Sequence, residues 1–321
     1  MAGDSAGPYV GPRPFERADR GLFFGRDNEA AALASLIIAH PVVLLYAQSG
    51  AGKSSLLNAE VAPRLEARGF EVFGAMRVSG NLPAGVATAD VHNIYVFNAL
   101  RSLAQWRAGS DAKRPTSIRE YLRSIPHPPA AKSVDPIRIL LFDQFEEVFT
   151  TFAERWKDRA EFFDDLGGAL EEDPRLRVVF AMREEFIGGL DTYAGRLPER
   201  LRTRFRLERL GAAPALLAAT RPLETTDRAF KPEAARKLID NLLKVPIKSE
   251  TGVTDVSGEY VEPLHLQLVC KKLWDSLPSD IKVIDEKYIE DLGDVDAALA
   301  DYYERCVNQV VQATEIGRAH V

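Results

Sequence analysis

Residues Val42-Val43-Leu44-Leu45-Tyr46 run directly into Ala47-Gln48-Ser49-Gly50-Ala51-Gly52-Lys53-Ser54, an apolar strand opening into a loop of small residues that ends on a lysine and a hydroxyl. A strand that ends this way lets the backbone curl round a phosphate, with successive N–H groups pointing inward and the positive end of the next helix behind them. Ser49, Gly50, Ala51, Gly52, Lys53, Ser54 and Ser55 are the candidate phosphate contacts. Lys53 adds a full charge near the terminal phosphates, and the Ser54 hydroxyl is the kind of group used on Mg²⁺. Ser55 to Leu65 reads as the helix behind the loop. The usual pattern begins with glycine where this chain has Ala47, while Gly50 and Gly52 are in place.

The chain has 321 residues and a formal charge of −6. That length accommodates a full α/β domain and one or two smaller ones. The negative balance argues against a general nucleic-acid sheath or an anionic membrane surface as the main partner. No apolar run approaches the ~20 residues that span a bilayer, and the start is rich in Gly and Pro rather than in signal-peptide character. Cys270 and Cys306 match no metal spacing and read as core residues of a reduced protein, so the expected compartment is the cytoplasm.

Five stretches have strand character: Val42 to Tyr46, Glu71 to Val78, Ile137 to Phe142, Arg177 to Met182 and Phe205 to Leu210. Between them Asp27 to Ala39, Val91 to Arg107, Ala153 to Leu170 and Glu185 to Tyr193 carry apolar residues at helical spacing. The alternation predicts an α/β fold, a doubly wound, mostly parallel sheet of the P-loop NTPase kind. Gly109 to Pro136 reads as a proline-rich connection with one short helix at Ile118 to Ser124. Beyond Leu210 the strand signal fades and helices follow at Pro214 to Thr220 and Pro232 to Leu243. A polar separator, Lys248 to Gly258, then precedes helices at Pro263 to Leu277 and Asp285 to Val311. The expected division is a lead-in over 1–20, an NTPase core over 21–210, a helical domain over 211–255 and a further small domain over 256–315. Residues 316–321 resemble a translated sequencing adaptor and are expected to be a non-native tail, with more of the protein following.

Arg138-Ile139-Leu140-Leu141-Phe142-Asp143 is an apolar strand ending in an acid, followed by Gln144-Phe145-Glu146-Glu147. Carboxylates at a buried strand tip are costly, which makes sense if Asp143 holds Mg²⁺ and a glutamate polarises the water that attacks the terminal phosphate. Glu146 is the first choice as base and Glu147 the second. The next strand ends in Arg183-Glu184-Glu185, and ligands of parallel sheets bind beyond the carboxyl ends of strands, so Arg183 is a candidate sensor of the terminal phosphate. The bland alternative for Arg183 is an ion pair with a nearby carboxylate. The run Arg196, Arg200, Arg202, Arg204, Arg206 and Arg209 is read as solvated or paired with acids in preference to a finger reaching a second protomer's nucleotide.

Several further segments fall in a recognisable order: Gly11-Pro12-Arg13-Pro14-Phe15, Phe23-Phe24-Gly25-Arg26-Asp27-Asn28-Glu29, Ala47 to Ser55, Asp143 to Glu147, Met182-Arg183-Glu184-Glu185-Phe186, Arg204 to Leu210 and Val261 to Cys270. Together they resemble the STAND class of signal-transduction NTPases, in particular its bacterial novel STAND group. The resemblance implies an additional-strand (ASCE) P-loop core, then a helical domain and a winged helix. It also implies ATP/ADP with Mg²⁺ as cofactors and adenine in preference to guanine. Phe24, Gly25 and Arg26 match the segment beside the adenine, and Pro263 matches the proline by which the winged helix closes on nucleotide. Here the usual Gly-x-Pro reads Val261-Glu262-Pro263. The function so implied is a slowly hydrolysing switch that self-associates with ATP bound and has its sensor or effector domain further along the chain. The competing readings are a motor ATPase of the AAA+ kind acting on protein or nucleic acid, and a non-hydrolysing scaffold that keeps ADP.

Overall fold

The computed structural model describes residues 7–106, 117–125, 136–249 and 252–291, with Glu304 and Val307. The described residues fall into two units: those within 27–49 and 53–208 form one, and those within 7–26, 50–52 and 209–291 form the other.

The first unit is built on a sheet of five strands, β1 (Val42–Ala47), β2 (Glu71–Met76), β3 (Arg138–Phe142), β4 (Leu176–Arg183) and β5 (Arg204–Arg206), in the order β2-β3-β4-β1-β5. Every pairing is parallel, with Leu44 opposite Phe180 and Leu140 opposite Val178. Side chains of a strand point alternately to the two faces, and here both faces are buried. Val42, Leu44, Leu140, Phe142, Val178, Phe180 and Met182 join one core with the helices Ile94–Trp106, Ile118–Ser124 and Asp158–Glu172. The intervening Val43, Leu45, Ile139, Leu141, Val179 and Ala181 are equally buried on the other face, where the helix Asp27–Ala39 packs on β1 and β4. The sheet is therefore doubly wound, as the β–α alternation predicts.

The elements depart from the sequence reading in a few places. The fifth strand is the three-residue β5, not Phe205 to Leu210, because it lies at the sheet edge and only Leu44 to Tyr46 of β1 face it. Leu210 instead forms an antiparallel bridge with Val261. The helix behind the loop is wound as a π-helix over Leu56–Val61, a change of winding that apolar spacing does not reveal. The helix read over Ala153 to Leu170 begins as a separate 3-10 turn, Ala153–Arg155, entered through Phe152 at φ +53°, and resumes as Asp158–Glu172. Most of the proline-rich connection lies outside the described residues, but its helix sits at Ile118–Ser124, capped by the Ser117 side chain.

The second unit gathers the helices Ala212–Thr220, Pro232–Leu242, Pro263–Ser276 and Glu286–Asp291. Two-residue strands β6 (Ala229–Phe230) and β9 (Val283–Ile284) pair in parallel, and β7 (Lys244–Ser249) pairs antiparallel with β8 (Gly252–Ser257). The polar separator is thus part of a two-stranded ribbon. Val245 and Val256, paired across the ribbon, are both exposed. The helix expected over Asp285 to Val311 is described for Glu286–Asp291, and Cys306 lies outside the described residues.

Residues 7–26 belong to this second unit. Tyr9 is buried among Leu210, Ala215, Leu238, Val269 and Leu273, and its hydroxyl donates to the Ala219 carbonyl. Burial, with the Cys270 thiol as a lesser cause, holds the Tyr9 phenol well above its ordinary pKa, so it remains a donor. Burial likewise pushes the Cys270 thiol up to about 12, which leaves it an inert core residue. Tyr9→Phe keeps the ring and strands the Ala219 carbonyl, so we expect a loss of about 1–3 kcal/mol, read as a lower urea midpoint. An unchanged midpoint would mean that the bond contributes nothing.

Candidate nucleotide site

β1 ends at Ala47, and the chain reverses through Gly50 at φ +79° and Gly52 at φ +97° before the helix begins at Lys53. Both angles lie in the left-handed region that glycine adopts at low cost. A Cβ built on either glycine would meet nothing within 4 Å, so both glycines face open space and are required by their backbone angles, not by crowding. Lys53 curls back over the loop, its Nζ donating to the carbonyls of Ala47 and Gln48 at 3.2 Å each. Burial pushes the Lys53 ammonium below its ordinary pKa, while Glu146 and Asp143 pull it back up. These shifts mark a cation near two carboxylates and partly out of water.

The tip of β3 comes to the start of that helix. Ser54 Oγ donates to Asp143 Oδ1 at 3.0 Å, joining residues 89 apart in the chain. Asp143 is buried, its N–H donates to the Met76 carbonyl on the neighbouring strand, and Oδ1 also accepts from the Gln144 N–H at 2.9 Å. Gln144 then turns through φ +51°. The next residue, Phe145, is fully buried and donates its N–H to Ala181 on β4. This alternation of exposed and anchored residues aims the following acids.

Glu146 and Glu147, adjacent in sequence, have different partners. Glu146 is buried and meets Arg183, with Arg183 Nε 3.1 Å from Oε1 and the Arg183 N–H donating to Oε2 at 3.3 Å. Glu147 is held by Arg77 at 3.0 Å and by the Ser79 hydroxyl. Arg77 also donates to the Gln144 side chain. Sequence reading missed Arg77 and Ser79, although Arg77 follows the carboxyl end of β2 and so stands where ligands of parallel sheets are met. Of the arginine run, Arg196 pairs with Asp164, Arg204 with Asp191, Arg206 with Glu184 and Glu208, and Arg209 with Glu262.

The donor set fits magnesium held jointly with phosphate. Ser54 and Asp143 offer hard oxygens side by side. Among the described residues no group of three or more His, Cys, Asp or Glu stands ready to hold a metal alone. Mg²⁺ commonly takes one or two carboxylates and completes its shell with water and substrate phosphates.

The other predicted contacts lie in the second unit. Phe24 faces the Arg221 guanidinium, 5.7 Å from the ring centroid. Gly25, at φ +84°, passes so close to the Ala212–Thr220 helix that an added Cβ would lie 2.3 Å from the Pro214 carbonyl oxygen. Arg26 is buried, 4% exposed, and its Nη2 donates to the Ala51 carbonyl of the phosphate loop at 3.2 Å. Pro263 is the first residue of its helix, where its missing N–H costs nothing. Glu262 before it pairs with Arg209 at 2.7 Å. Among the described residues no helix is long and apolar enough to cross a membrane.

The fold has solved counterparts. The ORC2 protein of Aeropyrum pernix, in ADPNP and ADP complexes, is similar with a TM-score of 0.55 at 13% identity, over 85% of this chain and 67% of that one. A Walker-type ATPase of Pyrococcus abyssi is similar with a TM-score of 0.53 at 14% identity, over 95% of this chain and 78% of that one. At such identities the likeness is one of fold. Among curated proteins none matches this sequence. The model of the family Novel STAND NTPase 1 matches residues 8–319, nearly the whole sequence. The chain therefore belongs to the novel STAND NTPase 1 family of P-loop nucleotide-binding NTPases.

Proposed function

We propose that this chain is an ATP-operated switch: ATP with Mg²⁺ sets the arrangement of its domains and licenses self-association, and slow hydrolysis resets it. The observation that carries the reading is the 3.0 Å hydrogen bond from Ser54 to Asp143, which unites the phosphate loop with the acidic strand tip. In this reading the amides near Gly50 to Lys53 and the Lys53 ammonium bind the phosphates, with Ser49, Ala51 and Ser55 completing the loop. Ser54 and Asp143 would hold Mg²⁺, which when bound neutralises charge on the phosphate oxygens. Glu146 takes the proton of the attacking water, and Glu147 supports the site through Arg77.

Arg183 has two anionic partners available in this scheme, Glu146 and a terminal phosphate. Its present pairing with Glu146 supports a role as sensor: exchanging one for the other frees the base only when the terminal phosphate has arrived. The division into core (21–210), helical domain (211–255) and winged helix (256–315) belongs to the same proposal. So do the adenine segment Phe24, Gly25 and Arg26, the closing role of Pro263, and a sensor or effector domain following this segment in the chain. A ligand shifts such an equilibrium only by its difference in affinity between the two arrangements.

The test is apparent mass and bound nucleotide, for wild type and Lys53→Ala, with and without ATP and Mg²⁺. The switch predicts that ATP raises the mass of wild type alone. Equal behaviour of the two proteins defeats it. A turnover rate raised many-fold by a protein or nucleic-acid polymer would favour the motor instead.

A further inference from the structure

We infer that Arg26 is a positioning residue for the phosphate loop: by holding the Ala51 carbonyl it aims the Gly52 N–H at the phosphate. The inference rests on the reading of Gly50 to Lys53 as the phosphate site. The geometry is that of one peptide plane. In a trans peptide the C=O of one residue and the N–H of the next point in opposite directions. Among the described residues there is no cis peptide bond, so a carbonyl of Ala51 drawn to Arg26 turns the N–H of Gly52 the other way, away from the guanidinium.

The Ala51–Gly52 plane needs such a hold. Gly50 and Gly52 flank it at φ +79° and +97°, and a loop with a glycine on each side of one alanine has many alternative conformations. In one of them the plane flips, and a carbonyl faces the phosphate in place of a donor. Arg26 opposes the flip with a charged donor, and charge-assisted bonds are about twice as strong as neutral ones. Its own aim is fixed from behind. Gly25 lies against the Pro214 carbonyl with no room for a side chain, and Phe24 faces Arg221. Ala51 is buried, so water is poorly placed to replace the guanidinium.

This role differs from a contact with the base, and the two can be separated. We would titrate wild type, Arg26→Met, Arg26→Lys and Lys53→Ala with ATP, ADP and inosine triphosphate, and follow amide hydrogen exchange across residues 47–56 without nucleotide. Arg26→Met is expected to weaken all three nucleotides by the same factor, about 10- to 100-fold. Exchange at the loop should rise. Arg26→Lys keeps the charge without the fork or the reach and should recover only part of the loss. Affinity of Arg26→Met within twofold of wild type, while Lys53→Ala loses binding, overturns the inference. So does a loss that is large for ATP and absent for inosine triphosphate, which would mark a base contact. If Arg26→Met fails to fold, Arg26→Lys decides, and wild-type affinity with wild-type exchange in that variant counts against the proposal. Wild type and Lys53→Ala binding alike would remove the phosphate-site reading itself.

Discussion

Glu146→Gln is expected to slow ATP turnover by about 10²- to 10⁴-fold, the usual contribution of a positioned general base, while ATP remains bound. The argument starts from where the two adjacent acids point. Glu147 is engaged by Arg77 and Ser79, beyond β2, whereas Glu146 shares Arg183 and lies among the charges that act on Lys53. Glutamine preserves the volume and most hydrogen bonds of Glu146 but cannot take a proton from water. Phosphate release at saturating ATP and Mg²⁺ measures the loss, and retained nucleotide after rapid filtration measures binding. Glu147→Gln supplies the contrast: it should slow release by less than about tenfold, through loosening of the Arg77 cluster alone. If Glu147→Gln is the crippled variant and Glu146→Gln turns over normally, the assignment of the base is wrong. Mass measurement on Glu146→Gln adds a second readout, since a protein that binds ATP without consuming it should accumulate in whichever associated state ATP favours.

Phe145→Ala should destabilise the core unit by about 3–5 kcal/mol, the range for emptying a buried aromatic site. Phe145 is fully buried and lies in the chain between Asp143 and Glu146, with its ring centroid 4.3 Å from Phe180, 5.7 Å from Phe142, 6.0 Å from Phe162 and 5.9 Å from Phe163. Such aromatic clusters gain both from buried area and from offset and edge contacts. Against a typical net stability of about 5–15 kcal/mol the loss is large enough to shift the unfolding midpoint plainly. It should also release Asp143 and Glu146 from their shared anchor, so that turnover falls more than the folded fraction does. Phe145→Leu, which refills most of the volume, should return most of the stability. A Phe145→Ala protein with an unchanged midpoint would show that the cluster is not what fixes the acidic loop.

Much of the site was legible because its parts are local. The phosphate loop is eight consecutive residues, and Asp143 follows five strand residues whose apolarity announces a buried tip. Spacing along one segment is enough to recognise each. The choice between Glu146 and Glu147 was not local. They are neighbours in the chain, and their partners Arg183, Arg77 and Ser79 come from β4 and the end of β2. Arg26 shows the same limit. The resemblance gives it only as part of a segment, and its hydrogen bond to the Ala51 carbonyl is to a main-chain atom with no side-chain signature to search for. The ribbon of β7 and β8 overlaps the segment read as a polar separator, and its pairing is between segments that the sequence reading did not join.

The sequence by itself determined the parallel, doubly wound sheet, because runs such as Val42 to Leu45 and Ile139 to Phe142 are buried on both faces and apolar throughout. It also places the chain in its family, whose model matches residues 8–319. The tertiary structure alone decided which acid meets Arg183, how Ser54 comes to Asp143 across 89 residues, and which carbonyl Arg26 holds. Those facts depend on strand order and on distances of a few ångströms between distant segments. A pattern of residue types fixes which faces are buried, whereas the pairing of polar groups is settled only when the packed backbone brings particular atoms within bonding distance.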